Sequence, residues 1–193
     1  MRAGTIIGWS AMPVLSSTTK QALIQIARQT LEHFVKTGEV RSAKPEDPAL
    51  CQPGACFVTL RIKGELRGCV GMLIPERSLY EEVVRMTKAA CSEDFRFGPL
   101  RPEELRDVSI EISVVSPLEK VRSWSEIQAG RHGIYLRWKE RSGAFLPEVA
   151  EQMKWSAEEF VKNCCQEKAH IPESVWPEIE FYRFTTEKIK ETA

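Results

Sequence analysis

Apolar and polar positions alternate most clearly at Val108–Val115, where the even positions 108 to 114 are apolar and the odd positions 109 to 113 are Ser, Glu, Ser. A period of two predicts a strand with one buried face. Phe57–Ile62 and Glu65–Leu73 flank Lys63-Gly64 and read as a hairpin. Gly133–Lys139, with Ile134, Leu136 and Trp138 alternating, and Phe181–Ile189 read as two more strands. Arg141-Ser142-Gly143 is expected to turn the chain so that Ala144-Phe145-Leu146 pairs back.

The helical period appears at Leu23, Ile26, Ala27, Leu31, Phe34 and Val35, which predicts a helix over Ser16–Lys36 stopped by Gly38. Three capping boxes follow, at Ser78…Glu81, Ser123…Glu126 and Ser156…Glu159. They open a helix with Leu79, Val83, Met86 and Ala90 inside, a short helix ending near Gly130, and a helix burying Phe160, Val161, Cys164 and Cys165. Pro102–Leu105 suits a helical turn and Pro147–Met153 a short helix; residues 41–55 and 92–100 read as loops. Helices and strands do not alternate regularly, which predicts an α+β fold with a largely antiparallel sheet.

The 193 residues fit one domain or two small lobes, here taken as a domain over 16–193 behind a poorly constrained extension over 1–15, with Met12 as another candidate start. Lys plus Arg and Asp plus Glu both number 27, so there is no basic excess to mark a dedicated nucleic-acid binder or a guest of anionic membranes. No run of about 18 apolar residues is present, and residues 1–15 lack the pattern of a signal peptide. The six cysteines show neither C-x-x-C nor zinc-ligand spacing, which fits reduced thiols in a cytoplasmic protein and no metal site.

The candidate chemistry centres on Leu66-Arg67-Gly68-Cys69-Val70-Gly71. Alternation sends Leu66, Val70 and Met72 to one face and Arg67 and Cys69 to the other. Gly68 and Gly71 thin the strand around the thiol, as a strand does where a ligand or another backbone comes close. Cys69 reads either as a nucleophile whose thiolate Arg67 favours, or as a small core residue whose glycines let a helix pack. Glu111 is expected on the face of Arg67, either as a solvated residue or as its ion-pair partner. Asp94 and Arg96 either contact a ligand or pair across their loop, and His132, between glycines, either does acid–base work or sits in a solvated turn. Phosphate-loop, dinucleotide and serine-hydrolase motifs are absent from the sequence.

Taken together, these segments resemble a known family. Leu66–Gly71 resembles the LRGCIG hallmark of the AMMECR domain family, also called component A of the AmmeMemoRadiSam system. Asp94–Leu100 resembles its DPRFPPL segment, Glu111–Ser116 its EISVLS, Arg131–Ile134 its KHGI, and Phe145–Ala150 its LPEVA, with Trp155 following. The chain departs from that pattern with Val70 for Ile, Met72 for Thr, and Phe95 and Gly98 for Pro. The resemblance implies two unequal lobes of largely antiparallel sheet flanked by helices, with a cleft between them near the hallmark strand. It implies no established reaction and leaves any cofactor unknown.

It also implies an association with a Memo-like protein and a radical-SAM enzyme, so the first expectation is a cytoplasmic binding or adaptor component acting with them through the Leu66–Gly71 motif. On that expectation Gly68, Gly71, Asp94 and Arg96 contact an unknown small molecule or peptide. The alternative is an enzyme or catalytic subunit using Cys69, with Arg67 as activator and Glu111 and His132 as acid–base groups. A weaker alternative is an RNA-modification accessory, drawn from the Arg and aromatic residues of the 94–100 loop.

Overall fold

Ser16 accepts a hydrogen bond from the Thr19 N–H and starts α1 (Ser17–Thr37), which ends where Gly38 takes a left-handed conformation at φ 77°. The structure is a computed structural model and describes residues 15–40 and 45–192. The hairpin forms as β1 (Ala55–Ile62) and β2 (Glu65–Gly71). Lys63 (φ 51°) and Gly64 (φ 84°) both take positive φ between them, the conformation that matches the strands' twist. Then come α2 (Leu79–Ser92), with Glu81 accepting from the Ser78 backbone N–H, and β3 (Val108–Val115). The rest of the chain adds β4 (Glu119–Val121), β5 (Gly133–Trp138), β6 (Arg141–Phe145), α3 (Pro147–Met153), α4 (Ala157–Asn163), β7 (Glu180–Phe184) and β8 (Thr186–Lys190).

The fold is α+β, built on two antiparallel four-stranded sheets in the orders β2-β1-β3-β8 and β4-β7-β5-β6. The chain divides into two compact units, one running through Val115 and resuming at Glu187, the other Ser116–Thr186. Each has its own apolar core. In the first, Val58, Leu60, Ile110, Ile112 and Ile189 pack against Leu23, Ala27 and Leu31 of α1 and Leu79, Val83 and Ala90 of α2. In the second, Ile134, Leu136 and Phe145 pack with Phe160, Val161, Cys164 and Cys165, and Phe145 stacks on Phe160 at 5.8 Å between ring centres. Each large side chain so buried contributes about 1.5–3 kcal/mol.

Three local expectations are corrected. The 181–189 strand is two strands in two sheets: Thr185 exchanges hydrogen bonds with Ser116, and the chain leaves one sheet for the other there. The turn before β6 is Lys139–Glu140, with Lys139 at φ 54°, and Arg141–Gly143 belongs to the strand. Gly143 serves packing instead, since a Cβ there would lie 2.7 Å from the Ala169 backbone nitrogen. The Ser123 box yields only a 3-10 turn, Trp124–Glu126, because Glu126 accepts from Arg122 N–H. Residues 1–14 of the expected extension lie outside the described residues, whereas Leu15 is buried with the first core. Among the described residues no helix is long and apolar enough to cross a membrane.

Candidate functional site

β2 is an edge strand, so alternate N–H and C=O groups along it have no neighbouring strand to bond. At Cys69 those groups are taken by side chains. The Asp94 carboxylate accepts from the Cys69 N–H at 2.9 Å, and Arg96 donates to the Cys69 carbonyl at 3.2 Å. Asp94 and Arg96 also bond each other, at 2.9 and 2.7 Å. The Arg96 guanidinium, helped by the Cys69 and Arg96 N–H groups and opposed by burial, holds the Asp94 carboxyl down to about 2. The pair thus stands in for a missing strand. Between its members, Phe95 is 96% exposed, while Phe97 lies under the Arg96 guanidinium at 5.5 Å.

Arg67 behaves differently from expectation. Leu60 pairs with Gly68 and Arg61 with Leu66, so Arg67 is the extra residue of a β-bulge. The bulge breaks the alternation: Leu66 lies opposite Arg61, on the face of Cys69 rather than with Val70. Arg67 is thereby directed to Glu104, with bonds of 2.8 and 3.1 Å, and to the carbonyls of Gly98 and Pro99 at 3.0 and 3.2 Å. This bidentate pair holds the Glu104 carboxyl down to about 2. The expected Arg67–Glu111 pair does not form. Glu111, buried in β3, meets Lys188 at 3.2 Å and Lys190 at 3.7 Å instead.

The glycines have tenants of their own. A Cβ on Gly68 would sit 2.1 Å from the Ala90 carbonyl oxygen of α2, and one on Gly71 2.2 Å from the Phe57 ring. Close packing against α2 and Phe57 accounts for the absence of a side chain at both positions. Beside the thiol, the Thr59 hydroxyl donates to Cys69 Sγ at 3.2 Å, and Thr59 lies between Cys69 and Glu111 in the strand register.

Cys69, Arg67, Glu111, Asp94 and Arg96 all belong to the first unit, and His132 belongs to the second. There His132 Nδ1 accepts from the Gln128 N–H at 3.1 Å. Burial pushes its pKa below the usual imidazole value, and Arg183 and Arg131 add to this. None of the six cysteines is in a disulfide; burial pushes the thiols of Cys56 and Cys164 well up and that of Cys91 up to about 11. Among the described residues no three His, Cys, Asp or Glu side chains gather to hold a metal ion.

Thr59, Ser113, Glu104, Lys188 and Lys190 were not singled out from the sequence. Thr59 and Ser113 are polar alternates within apolar strands, and Lys188 and Lys190 flank Ile189 with the same spacing. Glu82 was also missed. It is fully buried in α2, accepts from the Glu76 and Arg77 N–H groups at 3.1 Å, and pairs with Arg85 at 2.9 Å. Arg85 in turn reaches Met72 Sδ at 3.0 Å, which ties the end of the hallmark segment to α2.

These features define a class: α+β proteins of two antiparallel sheets whose Leu-Arg-Gly-Cys edge strand is braced by an Asp–Arg pair from the loop after α2. The sequence model of the AMMECR1 family matches residues 24–189, and the chain belongs to that family. It is 37% identical over 183 residues to a protein of Thermococcus gammatolerans, covering 88% of each chain. It is 35% identical over 180 residues to Protein MK0488 of Methanopyrus kandleri, covering 88% of this chain and 86% of that one. The crystal structure of the uncharacterised protein PH0010 from Pyrococcus horikoshii matches 92% of this chain and 93% of its own. Its TM-score is 0.85 and the identity 29%.

Proposed function

We propose that the chain is a binding or adaptor component that grips a protein partner through the loop bracing β2, and that the partner is a Memo-like protein or a radical-SAM enzyme. The observation that carries this reading is Phe95. It is 96% exposed, yet its neighbours Asp94 and Arg96 are fastened to the Cys69 backbone. Hot spots of protein interfaces favour aromatic and arginine anchors. A loop already held in place loses little conformational freedom on binding. Burying one phenylalanine is worth about 1.5–3 kcal/mol, or roughly ten- to a hundredfold in affinity.

The test is a binding titration of the purified chain and its Phe95→Ser variant against the Memo-like and radical-SAM proteins of the same genome. The expected result is a saturable complex with at least one of them, weakened about tenfold or more by the substitution at unchanged thermal midpoint. No complex with either, or equal affinity for the variant, overturns the reading.

One observation supports a second reading, in which Cys69 acts as a nucleophile. Its half-buried sulfur accepts from Thr59, in register with the Glu111 carboxylate. Iodoacetamide labelling of Cys69 across pH discriminates: a labelling midpoint clearly below the free-thiol value of about 8.5 favours catalysis, and one at or above it removes this reading.

A further inference from the structure

The face of the first sheet turned away from α1 and α2 carries an array of functional groups, of which the second reading uses Cys69, Thr59 and Glu111 but neither reading uses Ser113, Lys188 or Lys190. Glu191 N–H donates to the Ile110 carbonyl, which sets Lys190 beside Glu111 and Lys188 beside Ser113 across the antiparallel β3–β8 pair. With the β1 registers, one row across the sheet reads Cys69, Thr59, Glu111, Lys190, and the next Gly71, Phe57, Ser113, Lys188. Neighbours within a row are separated by about 4.8 Å and the rows by about 6.6 Å, so the array has the dimensions of a small metabolite.

Three features of the array point to a ligand. Ser113 is 2% exposed, and among the described residues its hydroxyl has no hydrogen-bond partner. That hydroxyl is not among the side-chain groups sealed off without a partner, so it can donate to an incoming acceptor. Glu111 is one carboxylate approached by two ammonium groups, and Lys190, 71% exposed, comes no closer than 3.7 Å. Its positive end remains available to a second anion. The other two acids of β8, Glu187 and Glu191, pair with Lys20 and Arg28 of α1 rather than with Lys190.

We infer that this face binds a small molecule through an oxyanion, carboxylate or phosphate, held by the Ser113 hydroxyl with Lys188 and Lys190, its body lying along the sheet toward Thr59 and Cys69. The Lys188 and Lys190 ammonium groups supply charge and Ser113 supplies a directed donor. Glu111 keeps both lysines extended over the sheet and, as a like charge, turns the anion toward Ser113. The site is independent of the Phe95 surface, so either proposal can fail without the other.

The test is an NMR titration of the full, nitrogen-15-labelled chain with sodium citrate and, separately, sodium phosphate, with sodium chloride holding the ionic strength constant. The expected result is saturable shifts of the backbone amides of residues 111–113 and 188–190 with at least one of the two. The arm that saturates at lower concentration identifies the oxyanion. Ser113→Ala and Lys188→Gln should each raise the half-saturating concentration about tenfold while the remaining amide spectrum stays in place. A linear drift that sodium chloride reproduces, or saturation that both variants leave unchanged, overturns the inference.

Discussion

The two edges of the first sheet are finished in opposite ways. At β2 the exposed backbone is closed by side chains: Asp94 and Arg96 bond the Cys69 N–H and C=O, and the bulged Arg67 is locked to Glu104. At β8 the side chains alternate instead, with acids turned to α1 and lysines turned to Glu111. The first edge spends its charges on holding a backbone in place. The second leaves a cation exposed over a polar face, although lysines also discourage strand-to-strand aggregation at an edge. The comparison separates two jobs that the hallmark motif suggests are one. Arg67, Gly68, Asp94 and Arg96 shape the strand, whereas Thr59, Cys69, Glu111, Ser113 and the two lysines form the surface that strand presents.

The largest expected effect tests the braced edge. Gly68→Ala places a Cβ 2.1 Å from a helix carbonyl, where both partners are backbone and neither yields cheaply. It should cost about 3 kcal/mol. Gly98→Ala, with nothing within 4 Å of its Cβ, should stay within about 0.5 kcal/mol. Urea midpoints of the two variants check this, and equal midpoints would remove the packing account of Gly68. Next comes Asp94→Ala, which strips the acceptor from both the Cys69 N–H and Arg96 and should cost about 2–3 kcal/mol. Amide exchange at Cys69 should accelerate in that variant well beyond the change at Val58 in the core; parallel changes at both would mean that Asp94 supports the unit globally rather than the edge.

Why some of this could be read from the chain and some could not follows from what each residue contacts. Val108–Val115 and the α1 stripe were legible because burial of one face imposes a period that a single segment displays. The split at Thr185 was not, since Phe181–Ile189 alternates without a break and only the pairing of Ser116 with Thr185 reveals the change of sheet. Gly143 misled because a glycine that admits a helix and a glycine that makes a turn look alike until the neighbouring Lys168 and Ala169 are in place. At the site, Cys69, Asp94 and Arg96 could be picked out by residue type and by family resemblance. Their roles could not, because a one-residue bulge re-aimed Arg67 from the expected Glu111 to Glu104, 37 residues along the chain.

Acid should weaken the two units at different pH. Asp94 and Glu104 both have pKa values pushed down to about 2 by their arginines. The unfolded chain therefore takes up protons first, and the stabilisation they provide is complete above the ordinary carboxylate range and lost as pH falls through about 4 toward 2. For each group this amounts to about 2 kcal/mol at most, given partial exposure. His132 acts at higher pH in the second unit: its lowered pKa means the folded form resists protonation, so its contribution is complete above about 6.5 and declines below it. Stability measured from pH 7 to 3 should show the shallow loss first, absent in His132→Gln, and the steeper loss later, reduced in Glu104→Gln. A single loss unaffected by either substitution would show that neither group controls it.

The smallest effect on stability is the most informative about the lysine edge. Lys190→Gln removes an ammonium group that is 71% exposed and 3.7 Å from Glu111, a geometry worth about 0.5 kcal/mol or less. Lys188→Gln removes the closer partner, at 3.2 Å and 31% exposed, and should cost somewhat more because Glu111 itself is buried. If these lysines serve only to neutralise Glu111, raising salt should equalise the two variants with the parent, and both should titrate with citrate and phosphate as the parent does. If they serve an anion, Lys190→Gln keeps near-parental stability at every salt concentration and still loses affinity. A cation that contributes almost nothing to the fold and much to the titration has its partner outside the chain.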